Sequence, residues 1–250
     1  MEDIHELSRD YRNSLVLDGR NLTHLEDLKQ LWDKEYGLYS TIPSSQRVVP
    51  AHALVQLLQN YTLSGEMALD LGCGNGRNSF FLAANGFNVT AIDFSQTALT
   101  LLEAKLEKQK ASAAVSHINH DIRNGLPFES ESMDLVLDSY CLCHFINDEE
   151  RRDVMHEIYR VLKPGGKLIK IHLDVNDEYY LERLNSKTDY GHISYDPINS
   201  LPKMHMSLEA YLKDIGSHFR LASYEEVKFT DDVRGSRYER SIFVCVSEKK

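Results

Sequence analysis

The stretch that decides the fold is Met67-Ala68-Leu69-Asp70-Leu71-Gly72-Cys73-Gly74-Asn75-Gly76-Arg77, an apolar segment that leads into a glycine-rich turn. The apolar part is typical of a buried strand, and the residues after the turn are typical of a helix. Gly72, Gly74 and Gly76 lack a Cβ, so the backbone can turn sharply and lie against a ligand. A second strand, near 87–92, ends at Asp93. This order of elements predicts a site for a nucleotide-type cofactor.

Two acidic residues indicate which cofactor this is. Asp93 follows the first glycine by about 20 residues, where an acid can accept both ribose hydroxyls. A dinucleotide site needs its third glycine at position 77, but this chain has Arg77 there. Asp70, beside the turn, would repel a pyrophosphate and attract an ammonium group. S-adenosylmethionine (SAM) carries adenosine at one end and an amino acid at the other, so it satisfies both carboxylates.

Three motifs resemble those of the class I SAM-dependent methyltransferases. They are the glycine turn Asp70–Gly76, the acid Asp93 and the turn Val161–Leu168 before the fifth strand. The stretch 69–86 is similar to the tellurite-resistance and thiopurine-type branch of that family. The resemblance implies methyl transfer from SAM, with S-adenosylhomocysteine as product. The leading hypothesis for the acceptor is an O, N, S or chalcogen atom of a small molecule.

Alternating strands and helices predict an α/β fold with a doubly wound, mostly parallel sheet. Strands are expected near 66–71, 87–92, 114–118, 133–138 and 167–173, and helices near 76–85, 96–109 and 148–162. The resemblance implies a seven-stranded, Rossmann-like sheet. Strands near 220–228 and 238–247 are predicted to close it as a C-terminal antiparallel hairpin around a loop at 231–236.

We expect one methyltransferase domain over residues 1–250, in four parts. A helical cap (1–62) is expected to contain an amphipathic helix that begins near Leu25 and a second helix over 48–61, with Pro50 in its first turn. The SAM-binding core (63–174) follows. Residues 175–206 have no steady period and are interpreted as an insertion on the substrate side. A helix near 207–216 and the hairpin strands make up residues 207–250.

Ligands of open parallel sheets bind at the carboxyl ends of the strands, so the residues after each strand are the candidates for cofactor contacts. Asp70, directly or through water, is expected to hold the methionine ammonium, and Asp93 the ribose. The resemblance implies that Phe94 and Ile122 sandwich the adenine and that Asp121 accepts from its exocyclic amine. The full set of expected cofactor residues is Asp70, Gly72, Gly74, Asn75, Gly76, Arg77, Asn78, Asp93, Phe94, Asp121, Ile122 and Ser139. Within it, Asn75, Arg77 and Asn78 are candidates for the methionine carboxylate, and Arg77 has the alternative of pairing with an acid of the cap.

Methyl transfer depends on alignment and exclusion of water, so a base is needed only if the acceptor must lose a proton. His172, His144 and Tyr140 are the catalytic candidates, and Tyr36, Tyr39, Tyr140 and His172 are expected to contact the substrate. His172 is the first choice because it ends the fifth predicted strand and because histidine titrates near neutral pH. The hypothesis is that His172→Ala lowers turnover with little change in SAM affinity.

Composition narrows the function classes. The net charge of −10 and pI near 5.5 argue against a nucleic-acid duplex as partner. Because the chain has no apolar run that could span a bilayer and no signal-peptide pattern at its start, we expect a cytoplasmic protein that does not bind membranes. Four cysteines are too few for a disulfide framework. The sequence Cys141-Leu142-Cys143-His144 has no second ligand pair at a suitable spacing, so no metal is expected.

Two alternatives stay open on sequence grounds. Leu126–Ser130 with Met133 and Asp134 resembles a segment of some tRNA-modifying methyltransferases. A SAM-binding regulator without catalysis is the other alternative. The acceptor and the oligomeric state cannot be read from the sequence.

Overall fold

A seven-stranded sheet with helices on both faces organises the chain. The computed structural model describes residues 25–37, 45–109, 114–181, 183–196, 201–233 and 235–250. The strands are β1 Met67–Leu71, β2 Asn88–Asp93, β3 Val115–Asn119, β4 Met133–Ser139, β5 Leu162–Leu173, β6 Leu184–Lys187, β7 His192–Tyr195, β8 Pro202–His205, β9 Phe219–Val233 and β10 Ser236–Lys249. The helices are α1 Leu25–Tyr36, α2 His52–Asn60, α3 Arg77–Ala84, α4 Gln96–Gln109, α5 Asp148–Val161, α6 Glu178–Leu181 and α7 Leu208–Ile215.

The strand order of the main sheet is β3-β2-β1-β4-β5-β10-β9. β1 pairs in parallel with β2 and β4, and the pairs β2–β3 and β4–β5 are also parallel. β10 runs antiparallel to both β5 and β9. The prediction of a doubly wound, mostly parallel sheet with a C-terminal antiparallel hairpin is therefore confirmed.

The central strands are apolar on both faces because helices cover both sides of the sheet. Leu137, Ile169 and Ile171 belong to one buried cluster, whereas Val136 and Leu168 belong to the other. Successive residues of a strand point to opposite faces, so the side chains of β4 and β5 pack alternately into these two clusters. The same alternation determines to which face of the sheet the side chain of the last residue of each strand points.

Several boundaries differ from the predictions; β5, for example, begins at Leu162 rather than near residue 167. α2 begins at His52 rather than near Val48, because Ala51 stays extended while its N–H donates to the Asn78 side chain, 2.9 Å away. Pro50 therefore lies before this helix. The hairpin loop is shorter than 231–236, since β9 runs through Val233 and β10 begins at Ser236.

The segment 175–206, called the insertion below, is also more regular than its sequence suggests. It contains the short helix α6 and a separate antiparallel sheet in the order β6-β7-β8. Ser194 pairs with Lys203 across β7 and β8. An isolated bridge between Asp174 and Met206 attaches the two ends of the insertion to each other.

The part of the N-terminal cap that is described consists of α1, the segment 45–51 and α2. Asp33 of α1 accepts from the Ser95 hydroxyl at 2.6 Å and from the Thr97 N–H at 3.2 Å. The N-terminal turn of α4 is thereby tied to the cap. None of the described helices has the length and apolar composition needed to cross a bilayer.

Candidate active site

A cavity of about 710 Å³ lies at the carboxyl ends of the parallel strands. It brings together residues from the cap, the core, the insertion and the β9–β10 hairpin. Of the predicted site residues, its wall contains Tyr36, Gly72, Asn75, Arg77, Asn78, Asp93, Phe94, Asp121, Ile122, Ser139, Tyr140 and His144. Asp70, Gly74, Gly76 and His172 are not part of the wall. Tyr39 lies outside the described residues.

The loop Gly72–Gly76, called the glycine loop below, adopts the backbone that its glycines allow. Gly72, Gly74 and Gly76 all have φ between 56° and 78°, a region that L-residues with a Cβ rarely adopt. A Cβ on Gly74 would lie 2.2 Å from the Tyr36 hydroxyl, and one on Gly72 would lie 2.7 Å from Cys141 Sγ. These glycines therefore serve close packing with side chains as well as the turn itself.

Two carboxylates flank the glycine loop. Asp93 accepts from the Gly74 N–H and from the Ser95 N–H, each at 2.8 Å. Burial raises the pKa of Asp93 to about 6, although both N–H groups oppose the shift. Asp70 accepts from the Ser79 hydroxyl at 2.6 Å, and burial raises its pKa to about 7. Both acids are thus poised to gain from a positively charged or hydroxyl-bearing ligand.

The side chains of Asn75 and Asn78 hold the segment 45–51 against the glycine loop. Asn75 Nδ2 donates to the Ser45 carbonyl at 2.8 Å, and Asn78 Oδ1 accepts from the Ala51 N–H at 2.9 Å. Asn75 Nδ2 also donates to the Arg47 carbonyl at 3.2 Å, so both of its N–H donors are used, whereas the Asn78 contact uses only the side-chain oxygen. The expectation that they bind the methionine carboxylate stays a prediction, and the geometry favours Arg77 among the three candidates.

Arg77 lines the cavity and reaches a backbone carbonyl, that of Val49, at 3.4 Å. The alternative of an ion pair with an acid of the cap is not seen among the described residues. Burial lowers the pKa of Arg77, which means that the guanidinium is partly desolvated and would gain from an anionic partner.

The three residues expected around the adenine, Phe94, Asp121 and Ile122, all line the cavity. Asp121, however, is already paired with a side chain of the protein. Asp121 binds the Arg123 guanidinium through both carboxylate oxygens, each 3.1 Å from Nε. An adenine amine would have to share that carboxylate. Ser139 Oγ is buried, and among the described residues it has no hydrogen-bond partner. An orphaned hydroxyl in the wall of a cavity indicates a ligand that supplies the missing partner.

His144 joins the cap to the insertion. Its Nδ1 lies 2.7 Å from the Pro202 carbonyl oxygen, and its ring meets the Trp32 indole edge-on at 4.9 Å. A carbonyl oxygen only accepts, so Nδ1 carries the proton and Nε2 carries a lone pair. Burial lowers the pKa of His144 to about 4, so the ring is neutral at neutral pH.

His172, the first catalytic choice, does not line the cavity. It is completely buried, its Nδ1 lies 3.0 Å from the Leu173 carbonyl oxygen, and its ring stacks on Phe243 at 5.4 Å. Leu173, one residue on, lines the cavity instead. The rule that ligands bind at strand ends located the correct end of β5, but His172 points to the opposite face of the sheet.

Tyr140 lines the cavity in a strained backbone conformation, with φ of 62°. Such values are uncommon for residues with a side chain and concentrate at functional sites. Burial raises the pKa of its hydroxyl above the ordinary value. The hydroxyl therefore stays protonated at neutral pH, so Tyr140 can donate a hydrogen bond but is unsuited to the role of base.

The insertion and the hairpin contribute cavity residues that the sequence did not reveal. Among them are Tyr179, Tyr180, Asp196, Pro202, Lys203, Phe229 and Arg240. They come from short elements without a readable period, so only the mixture of tyrosines and charges could have drawn attention to them. Among the residues that the structure describes, no group of three or more His, Cys, Asp or Glu side chains is placed to hold a metal ion.

The comparisons with known proteins agree with this geometry. A family model described as a methyltransferase domain matches residues 68–166. A demethylmenaquinone methyltransferase of Clavibacter sepedonicus is 36% identical over 107 residues, which are 43% of this chain and 41% of that protein. A ubiquinone biosynthesis O-methyltransferase of Coxiella burnetii is 27% identical over 66% of each chain. A solved SAM-dependent methyltransferase of Methanosarcina mazei shares the fold with a TM-score of 0.66 at 22% identity, over 80% of this chain and 99% of that one.

Residues 68–166 therefore match a methyltransferase domain, and the fold around them is shared with the solved structure. The chain spans less than half the length of the first curated relatives that it matches, 41% to 43% for three of them. The acceptor and the reaction of the whole chain consequently belong to the proposal that follows.

Proposed function

We propose that this chain transfers the methyl group of SAM to an oxygen, nitrogen, sulfur or chalcogen atom of a small molecule. The observation that carries the proposal is the continuity of the cavity, because Asp93 and Phe94 share its wall with His144 and Tyr180. Its volume of about 710 Å³ falls within the range of roughly 300–1,000 Å³ that is typical of small-molecule sites.

The relatives support a small-molecule acceptor. The names of two of them refer to demethylmenaquinone and to ubiquinone biosynthesis, and the latter is an O-methyltransferase. The likeness of the glycine loop and its helix to the tellurite-resistance and thiopurine-type branch supports including sulfur and chalcogen atoms among the candidate acceptors.

The residues of the cavity fit SAM. When bound, SAM supplies an electrophilic methyl group on a sulfonium and is left as S-adenosylhomocysteine. Asp93 would hold the ribose, Arg77 would hold the carboxylate, and Ser139 Oγ would gain the partner that it lacks. Asp70, which lies behind the wall, would act on the ammonium through space or through water.

His144 is the proposed base for substrates whose reacting atom carries a proton. The Pro202 carbonyl fixes the Nδ1–H tautomer, so the lone pair of Nε2 is available for that proton. The methyl–sulfur bond breaks as the bond from methyl to the acceptor atom forms, and the proton of the acceptor passes to Nε2. His144 thus replaces His172 as the proposed base.

The test is methyl transfer from SAM labelled in its methyl group to a panel of phenols, amines, thiols, selenite, tellurite and tRNA. S-adenosylhomocysteine formation that depends on a small-molecule acceptor supports the proposal. His144→Gln serves as the matched active-site variant, and calorimetry with SAM checks that the cofactor site is intact. SAM binding without S-adenosylhomocysteine formation for any acceptor would indicate a regulator, and formation with tRNA alone would indicate an RNA-modifying enzyme.

A further inference from the structure

Strand β8 places a buried lysine beside the proposed base. Pro202 and Lys203 are consecutive, and Pro202 fixes the His144 ring through its carbonyl while the Lys203 side chain forms part of the same cavity wall. The side chain of Lys203 is 8% exposed. Burying an ammonium group costs desolvation free energy unless an anion or hydrogen-bond acceptors compensate its charge.

The partners of Lys203 leave part of its binding capacity unused. Its Nζ donates to the Tyr180 hydroxyl at 2.6 Å and to Asp196 Oδ2 at 3.3 Å. An ammonium group has three N–H donors, so one remains beyond these two contacts. The hydroxyl oxygen of Tyr180 accepts from Lys203, which leaves its own O–H free to donate. Two donors, one of them charged, can therefore converge on a single atom in the cavity.

The other cation of this part of the wall is already neutralised. Arg240 binds Asp177 through both carboxylate oxygens, at 3.0 and 2.9 Å, and it stands over the Tyr180 ring at 5.5 Å. Both of these contacts are made by Nε, and Nη1 also reaches Asp231 Oδ2 at 3.4 Å, so two carboxylates already offset the charge of Arg240. Lys203, by contrast, faces one carboxylate at 3.3 Å and keeps one N–H donor for a ligand.

Because His144 is a weak base, its proposed role requires a cation near the oxygen that loses its proton. Burial and the charge of Lys203 both lower the pKa of His144, to about 4. A base this weak removes a proton from a hydroxyl group only if the resulting oxyanion is stabilised where it forms. Preorganised donors aimed at a developing negative charge provide that stabilisation.

We propose that Lys203 and Tyr180 form an oxyanion subsite that binds an anionic oxygen of the acceptor next to His144. This rests on the proposed methyl transfer and narrows its acceptor to an oxygen compound, either one methylated on its own ionised hydroxyl or one with a carboxylate beside the reacting atom. In the first case the hydroxyl proton passes to His144 Nε2 and the oxyanion stays against Lys203. The oxyanion would then take the methyl group as the methyl–sulfur bond breaks, and S-adenosylhomocysteine would be the leaving group.

A spectroscopic probe tests the subsite independently of turnover. 4-Nitrophenol absorbs differently as phenol and as phenolate, so its pKa can be measured when bound to the protein saturated with S-adenosylhomocysteine. The wild type is expected to lower the pKa of the bound phenol, and Lys203→Met and Tyr180→Phe are expected to lessen that shift. Lys213→Met is the matched control, since Lys213 is exposed and lies outside the cavity wall.

Turnover distinguishes the two sources of the negative charge. Rates are compared for phenols of graded acidity and for 4-hydroxybenzoate against 4-hydroxybenzamide. If the reacting oxygen is the anion, Lys203→Met lowers kcat for all phenols, by about 100-fold for the least acidic. If a carboxylate is the anion, the same variant raises KM for 4-hydroxybenzoate alone.

Several outcomes would overturn the subsite. They are an unshifted pKa of 4-nitrophenol, failure of the wild type to bind it as its anion, or equal behaviour of Lys203→Met and Lys213→Met. Methylation of amines or thiols alone would also overturn it while leaving methyl transfer intact. Absence of S-adenosylhomocysteine formation with every acceptor would instead overturn the proposed function.

Discussion

The carboxylate of Asp93 accepts a hydrogen bond from the backbone N–H of Gly74, 2.8 Å away. The acid that closes β2 is therefore held in place by the loop that follows β1, through a contact within the protein itself. Such preorganisation reduces the entropy that binding would otherwise cost. Because burial raises the pKa values of Asp70 and Asp93, their ionisation should contribute measurably to the free energy of cofactor binding.

Asp70→Asn is expected to stabilise the ligand-free protein and to weaken SAM binding. Burial raises the pKa of Asp70 from 3.8 to about 7, so its contribution to stability is present below pH 3.8 and is lost as the pH rises through about 7. Removing the buried charge should increase the unfolding free energy at pH 8 by as much as about 4 kcal/mol. Denaturant unfolding measures this, and calorimetry measures the loss of SAM affinity.

Asp134→Asn is the control for that experiment. Burial alone would raise the pKa of Asp134, but Lys163 and the N–H groups of Met67 and Glu66 hold it below the ordinary value. Its replacement should lower the unfolding free energy at neutral pH and leave SAM affinity unchanged. If both variants shift stability in the same direction, the assignment of Asp70 as a buried, destabilising acid is wrong.

SAM binding is expected to weaken as the pH falls. The pKa values of Asp70 and Asp93 are raised to about 7 and about 6, and the cationic cofactor favours the deprotonated form of both. Below about pH 7 each binding event must release a proton from Asp70, so the affinity should fall by up to about tenfold per pH unit. Calorimetry in buffers of different ionisation enthalpy counts the protons released. An affinity that is constant between about pH 5 and pH 8 would contradict this linkage.

His144→Gln and His172→Gln are expected to have opposite consequences. His144→Gln removes the lone pair of Nε2 from the cavity, so kcat with a phenolic acceptor should fall by about 100-fold, while SAM affinity stays the same. His172→Gln alters a completely buried ring that stacks on Phe243, so it should lower the unfolding free energy and preserve kcat. The two rates and two unfolding curves together check the assignment, which would be reversed if His172→Gln were the slower enzyme.

Gly74→Ala is expected to disrupt the cofactor site far more than Gly86→Ala. Both glycines have positive φ, but a Cβ on Gly74 would lie 2.2 Å from the Tyr36 hydroxyl, whereas a Cβ on Gly86 would meet nothing within 4 Å. The backbone cost of about 1 kcal/mol is common to both. SAM affinity measures the difference.

The double variant Gly74→Ala with Tyr36→Ala supplies the control. Removing the Tyr36 ring should recover part of the stability that Gly74→Ala loses, since neighbouring substitutions that share a contact are not additive. Strictly additive losses would mean that the backbone conformation, rather than the Tyr36 contact, sets the cost.

The core of the fold could be predicted because its signals are local. β1, the glycine loop and Asp93 follow one another within a short stretch, and apolar runs of strand length identify β2 and β4 without any knowledge of tertiary contacts. The start of α2 could not be predicted in this way, because the Ala51 N–H is captured by Asn78, 27 residues away in the chain.

The candidate site was less predictable because two of its determinants are geometric. The end of β5 was located correctly, but His172 and Leu173 point to opposite faces, and only Leu173 reaches the cavity. Counting alternate residues from Ile169 and Ile171, which pack in the same cluster as Leu173, would have favoured residue 173. Lys203 and Tyr180 could not have been found by period, since β8 and α6 are too short to show one.

Because Pro202 and Lys203 are adjacent on β8, the carbonyl that orients His144 and the ammonium group of the proposed subsite both depend on the register of one short strand. A one-residue slip of β8 against β7 would exchange the faces of all its side chains, so the ammonium group would leave the cavity and His144 would face a different carbonyl. Homologous enzymes that differ in the length of residues 175–201 would then be forced to find another proton acceptor. In such enzymes, gain or loss of a turn in the insertion would change the substrate and leave the glycine loop unaltered.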